Sequence, residues 1–169
     1  MPIVSSDIQF RLSGGASNTD PNASLGGAKS STEVVDAQLH NLFDIVSSAE
    51  SQAGDVEYRC IYIHNNHQTL TLQNARVYIQ SNTPSEDTDI AIGLGTSAVN
   101  GTEQTIADED QAPTGVSFQN AVGAGNALAL GDIPPGQHRA LWIRRTVNPG
   151  AAAYNGDNCV ITVDGDTAQ

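Results

Sequence analysis

His64 and His67 stand three residues apart around Asn65-Asn66. On a helix that spacing sets two imidazoles side by side and suits a metal. Here the neighbours are turn formers and no Cys or Asp lies at a ligand-like spacing, so the pair reads as polar turn residues. Asp108-Glu109-Asp110 concentrates charge but lacks the D-x-[DN]-x-[DN]-G order of a calcium loop, and reads as a solvated loop. Ser, His and Asp all occur, yet there is no G-x-S-x-G elbow. Paired carboxylates for glycoside hydrolysis need only converge in space, and nothing in the chain points to such a pair. Residues 13–29, SGGASNTDPNASLGGAK, are rich in glycine but contain no GxxxxGK[ST], so nucleotide binding is not indicated. The expectation is a protein with no catalytic residue, no cofactor and no metal.

Three residue groups invite contact rather than catalysis. Arg139, Arg144 and Arg145 are three of only seven cations in a 169-residue chain of net charge −12. They read either as a solvated edge that deters strand pairing or as a basic stripe that meets acidic patches on a neighbour. Trp142, the sole Trp, reads as a core or interface anchor before a sugar-stacking platform. Cys60 and Cys159 fall in different expected strands. They read as buried reduced thiols, a disulfide requiring those strands to be neighbours. So acidic a surface repels phosphate backbones, which argues against nucleic-acid binding. No apolar run spans a bilayer, and the start MPIVSSDIQF lacks a basic and apolar leader, so folding in a cytoplasm is expected.

The elements that position these residues read as β-strands. Residues 55–82, DVEYRCIYIHNNHQTLTLQNARVYIQSN, give two strands joined by a polar turn, a hairpin, with a bulge expected near Gln73-Asn74 where the alternation slips by one. The first strand is apolar on both faces: Ile61 and Ile63 on one, Tyr58, Cys60 and Tyr62 on the other. A half-exposed antiparallel sheet needs only one such face. The second must therefore be covered, by residues 7–46 or by another subunit. Residues 7–12 form a short strand, and 13–29 an extended arm that is mobile until a partner orders it. Residues 31–50 are the one helical candidate, with short turns around 38–45 and Leu42 and Phe43 buried. Further strands are expected at 90–94, 116–118, 128–130, 139–147 and 158–164. Roughly six to eight short strands between turn signals indicate an all-β antiparallel sandwich, immunoglobulin-like or jelly-roll-like. Residues 54–169 form the sandwich; residues 1–53 contribute the first strand, the arm and the helical segment.

Three segments, SGGASNTDPNASLGG, NLFDIVSSAESQAGDVEYRCIYIHN and IPPGQHRALWIRRTVNPGAAAYN, together resemble tailed-bacteriophage virion structural proteins. A small acidic sandwich with an extended arm is similar to capsid decoration (cement) proteins, which bind and brace an assembled shell. The resemblance implies a non-enzymatic protein of the virion, on the capsid surface and made in the host cytoplasm. Its partners would be the major capsid protein or other virion proteins and further copies of itself, trimers by analogy. Tail, neck or baseplate is the alternative location, and a carbohydrate-binding adhesive module the alternative role. The expected interface residues are Tyr58, Tyr62, Trp142, Arg139, Arg144 and Arg145.

Overall fold

Strand β3 (Asp55–Asn65) is the spine of the molecule. Its Tyr, Cys and Ile residues favour extended backbone. It pairs antiparallel with β1 (Ile8–Leu12) on one side and β8 (His138–Val147) on the other. β8 pairs in turn with β5 (Thr88–Leu94), completing a four-stranded sheet in the order β1-β3-β8-β5. The facing sheet places β4 (Leu72–Ser81) between β7 (Leu128–Ile133) and β9 (Val160–Thr167). Two short strands, β2 (Gly26–Gly27) and β6 (Glu103–Thr105), form a ladder of their own. One helix, α1 (Ser48–Ala53), leads into β3. This computed structural model describes residues 1–167, and the architecture is an all-β antiparallel sandwich. Counting the strands of the two large sheets in chain order, the first, second, sixth and fourth share one sheet. An immunoglobulin domain instead keeps its sixth strand with the third and seventh.

The expected hairpin is a corner. β3 and β4 lie in different sheets, so residues 66–71 carry the chain across the sandwich. Asn65 holds the corner: its side-chain amide donates to the Leu70 and Ile133 carbonyls, both at 2.9 Å, and its Oδ1 accepts from His67 N–H at 3.1 Å. His67 Nδ1 accepts from Leu70 N–H at 2.9 Å. The turn residues were legible; their direction was not, because polar turn chemistry serves corners and hairpins alike. The bulge is present. Register shifts between Gln73 and Arg76, and Asn74 takes φ +50°, a conformation Asn tolerates better than most residues.

Each face of the four-stranded sheet has a core. Ile61, Ile63, Leu141 and Ile143 face the second sheet and meet Val77 and Ile79. On the opposite face Cys60, Tyr62, Ala140 and Trp142 form a separate buried cluster with Ile106. The chain covers this second face itself, using Leu25 from the glycine-rich stretch and Val116 and Phe118 from a later loop. Val116 and Phe118 belong to no regular strand.

Residues 13–29, expected to be mobile, are bonded into place. Ser24 C=O accepts from Cys60 N–H at 2.8 Å, Leu25 C=O from Ile106 N–H at 3.0 Å, and Ser13 Oγ donates to Cys60 C=O at 2.7 Å. A stretch without large side chains builds no core of its own, but it lies close against another backbone. A Cβ on Gly26 would sit 1.8 Å from Gln104 O, at φ +92°, where only glycine fits. The helix also lies elsewhere than expected. Ala37 and His40 take φ +55° and +56°, which ends any helix through residues 38–45. The helix starts where Ser47 and Glu50 form a reciprocal capping box. Leu42 is buried, as expected, and Phe43 partly so. No helix among the described residues is long and apolar enough to cross a membrane.

Candidate functional site

Two of the six expected interface residues are fully buried and the other four partly so. Trp142 and Tyr62 have no exposed surface, so neither offers a face to a partner or a sugar. The Tyr62 hydroxyl donates to Gly27 C=O at 2.5 Å and accepts from Glu103 N–H at 2.8 Å, tying the glycine-rich stretch to β6. Tyr58 is half-buried, its ring 5.3 Å from that of Phe118. The three arginines form no stripe. Arg139 donates to Ser97 C=O at 2.8 Å, Arg144 lies over Phe118 at 5.4 Å, and Arg145 points toward the sandwich interior. Neighbouring strand residues face opposite ways, which separates Arg144 from Arg145.

Other candidate groups are consumed internally. Cys60 and Cys159 are both free, and burial raises both thiols, Cys159 to about 12. Burial together with Lys29 and Arg11 lowers His64 to about 4, so its imidazole is neutral. Glu103, only 3% exposed, accepts from Ser97 N–H at 2.8 Å, Thr96 N–H at 3.1 Å, Thr96 Oγ1 at 2.9 Å and Trp142 Nε1 at 3.3 Å. Burial alone would raise this carboxyl; the Ser97 and Thr96 donors outweigh it and hold it down to about 2.

The opposite arrangement occurs at the end of the sandwich where β3 begins and β8 ends. The inward positions beyond Ile61 and Ile143 are Arg59, Glu57 and Arg145. Glu57 is 1% exposed and Arg59 fully buried. Arg145 bonds Glu57 Oε2 through Nε at 2.5 Å and reaches Asp44 at 3.5 Å, while Arg59 pairs with Glu109. Both guanidiniums lie over Phe43, at 5.3 and 4.9 Å from its centroid. Asp44, Glu57 and Glu109 each bring an oxygen within 4.8 Å of the others, a spacing that suits a cation. The two guanidiniums already supply the positive charge there. The sequence reading overlooked this cluster, although its signal was present: Glu57, Arg59 and Arg145 share the odd-numbered phase of the core residues Ile61, Ile63 and Ile143.

Above this cluster lies a groove of about 800 Å³ between residues 36–48 and 151–161, floored by Ile90, Ile143 and Ile161. Four of the nine large apolar side chains exposed among the described residues line it. Leu39 is 71% exposed, Ile45 70% and Tyr154 53%, with Val160 beside them. The groove is acidic as well, with Asp36, Asp44 and Asp157 in its lining and Arg145, already paired, as its arginine. No family model matches the chain, and no curated protein or solved structure matches it either.

Proposed function

We propose that the chain is a non-enzymatic structural protein that docks on an assembled protein surface through the groove between residues 36–48 and 151–161. Following the resemblance of the three sequence segments, that surface is the outside of a tailed-bacteriophage head, and the chain acts as a decoration protein. One observation carries the docking reading: Leu39, Ile45, Tyr154 and Val160 are exposed together around one groove. Clustered apolar exposure marks interaction sites, whereas scattered apolar residues need no explanation. The carboxylates in the lining and the net charge of −12 select a partner segment that is apolar and basic. They disfavour a second copy in the same groove. Assembly into trimers would then use a different face or the shell itself. The adhesive alternative rested on Trp142 and loses its platform, since that ring is sealed inside.

The test has two parts. Quantitative mass spectrometry of purified virions measures copies of the chain relative to the major capsid protein. Comparable numbers support decoration; a few copies per particle assign the chain to tail, neck or baseplate; absence from the particle overturns the virion reading. Purified Leu39→Asp and Tyr154→Ser proteins are then added to heads lacking the chain. Undiminished binding by both variants overturns the groove.

A further inference from the structure

Residues 36–46 form one wall of the groove and also roof the charge cluster. Their backbone is tied to the cluster from below: Leu42 C=O accepts from Arg59 Nε at 3.2 Å, and Asp44 C=O from Arg145 Nη1 at 2.7 Å. Phe43 is held over the two guanidiniums. The charged groups facing Glu57 come from four places. Arg145 comes from β8 and Arg59 from β3, Asp44 from the roof, and Glu109 from the loop after β6. Asp55, two residues back on β3, faces Asp110, Glu50 and Arg145.

With every group ionised, three carboxylates (Asp44, Glu57, Glu109) face two guanidiniums (Arg59, Arg145). One negative charge is left over. Asp44 and Glu109 are partly exposed and keep their charge in contact with water, whereas Glu57, held by Arg145 through Oε2, has its Oε1 buried without a hydrogen-bond partner. A buried carboxylate with an unpartnered oxygen in an over-negative cluster is costly in its charged form unless it is neutralised or hydrated. A proton on Glu57 restores two against two and leaves the roof in place. Hydration of Glu57 requires the roof to lift.

We propose that residues 36–46 are a proton-controlled flap, shut over the sandwich end when Glu57 is protonated and loosened when Glu57 ionises. The consequence for docking rests on the groove reading above, because Leu39 and Ile45 ride on the flap: ionisation of Glu57 reshapes that wall. Burial raises Glu57 to about 7, with Arg145 and Arg59 pulling it down and Glu109 adding to the rise. In the open, hydrated state it reverts toward its ordinary 4.5. Closing therefore takes up a proton, and the change falls near neutrality.

Hydrogen exchange of the full-length protein tests this without any partner. Rates are measured between about pH 6 and pH 8 and divided by the intrinsic chemical rate at each pH. In the wild type, protection of residues 36–46 should fall at least about fivefold as pH rises through the Glu57 midpoint, while that of β6 stays constant. In Glu57→Gln the flap should stay protected throughout. Asp44→Asn restores the charge balance by a second route and should flatten the profile too. A constant profile in the wild type, or the same pH response in wild type and both variants, overturns the flap. Leu39→Ser keeps the wild-type exchange profile while removing an apolar anchor. Loss of docking by that variant therefore reports on the groove, and the exchange profile on the flap, each independently of the other.

Discussion

Two glutamates of this protein are almost equally buried, Glu57 at 1% and Glu103 at 3% exposure, yet they are driven in opposite directions. Glu103 is held down to about 2 and Glu57 is raised to about 7. Burial acts the same way on both, so donor count decides. Glu103 receives neutral N–H and O–H donors from Thr96, Ser97 and Trp142, which compete with nothing else. Glu57 has one guanidinium, shared with Asp44, and an oxygen with no partner. The first site locks a loop onto the outer face of the sheet. The second stores unbalanced charge beneath a wall of the docking groove.

The largest break in this comparison should come from Glu103→Ala. It strands the Ser97, Thr96 and Trp142 donors in a buried site and should cost about 3–5 kcal/mol in urea unfolding. A loss under about 1 kcal/mol would mean that water replaces the carboxylate freely, and the lock would be illusory. Next is Gly26→Ala, whose Cβ collides with Gln104 O at a positive φ. It should cost about 2–4 kcal/mol by separating β2 from β6. Gly15→Ala is the control, since φ is +109° there but no atom lies within 4 Å, and it should cost about 1 kcal/mol. Equal effects at both positions would show strain without a packing contribution.

A smaller change of opposite sign is expected at the other glutamate. Glu57 titrates at about 7 when folded against an ordinary 4.5. Its contribution to stability is full below 4.5 and is lost as pH rises through about 7. Glu57→Gln escapes that loss and should be more stable than the wild type at about pH 8, by on the order of 1–3 kcal/mol. His64 runs the other way: its contribution is full above 6.5 and lost as pH falls through about 4. In the wild type the two oppose each other across the overlap, and melting temperature should change little there. In Glu57→Gln the His64 loss is exposed, and stability should decline on acidification. Parallel pH profiles for the two proteins would contradict the assignment. The smallest effect on stability belongs to Leu39→Ser and Tyr154→Ser, within about 0.5 kcal/mol, even though both should impair docking.

The same contrast explains what the sequence made legible. Alternation in β3 and β8 identified the two apolar faces and the Ile61 and Ile63 core, and alternation in β4 identified the slip that becomes the Asn74 bulge. These are local, period-two signals. The covering of the second face is not local: Leu25 and Ile106 reach it through backbone bonds among small residues, which leave no hydrophobic pattern to read. The expectation left two covers open for that face, residues 7–46 or another subunit; Leu25 supplies the first, and reading Tyr62 and Trp142 as interface residues followed the second. Arg144 and Arg145 looked like a stripe because they adjoin in sequence, although strand geometry sends them to opposite faces. The groove was illegible because Leu39 and Tyr154 lie in loops far apart in the chain and meet only across the sandwich end.

The most direct test is a carbon-detected NMR titration that follows the side-chain carboxyls of Glu57 and Glu103 in the folded protein. The account predicts a Glu57 midpoint of about 7 and a Glu103 midpoint of about 2. Joint titration of both carboxyls near the ordinary 4.5 would contradict it, because equal burial would then have produced neither a lock nor a stored charge.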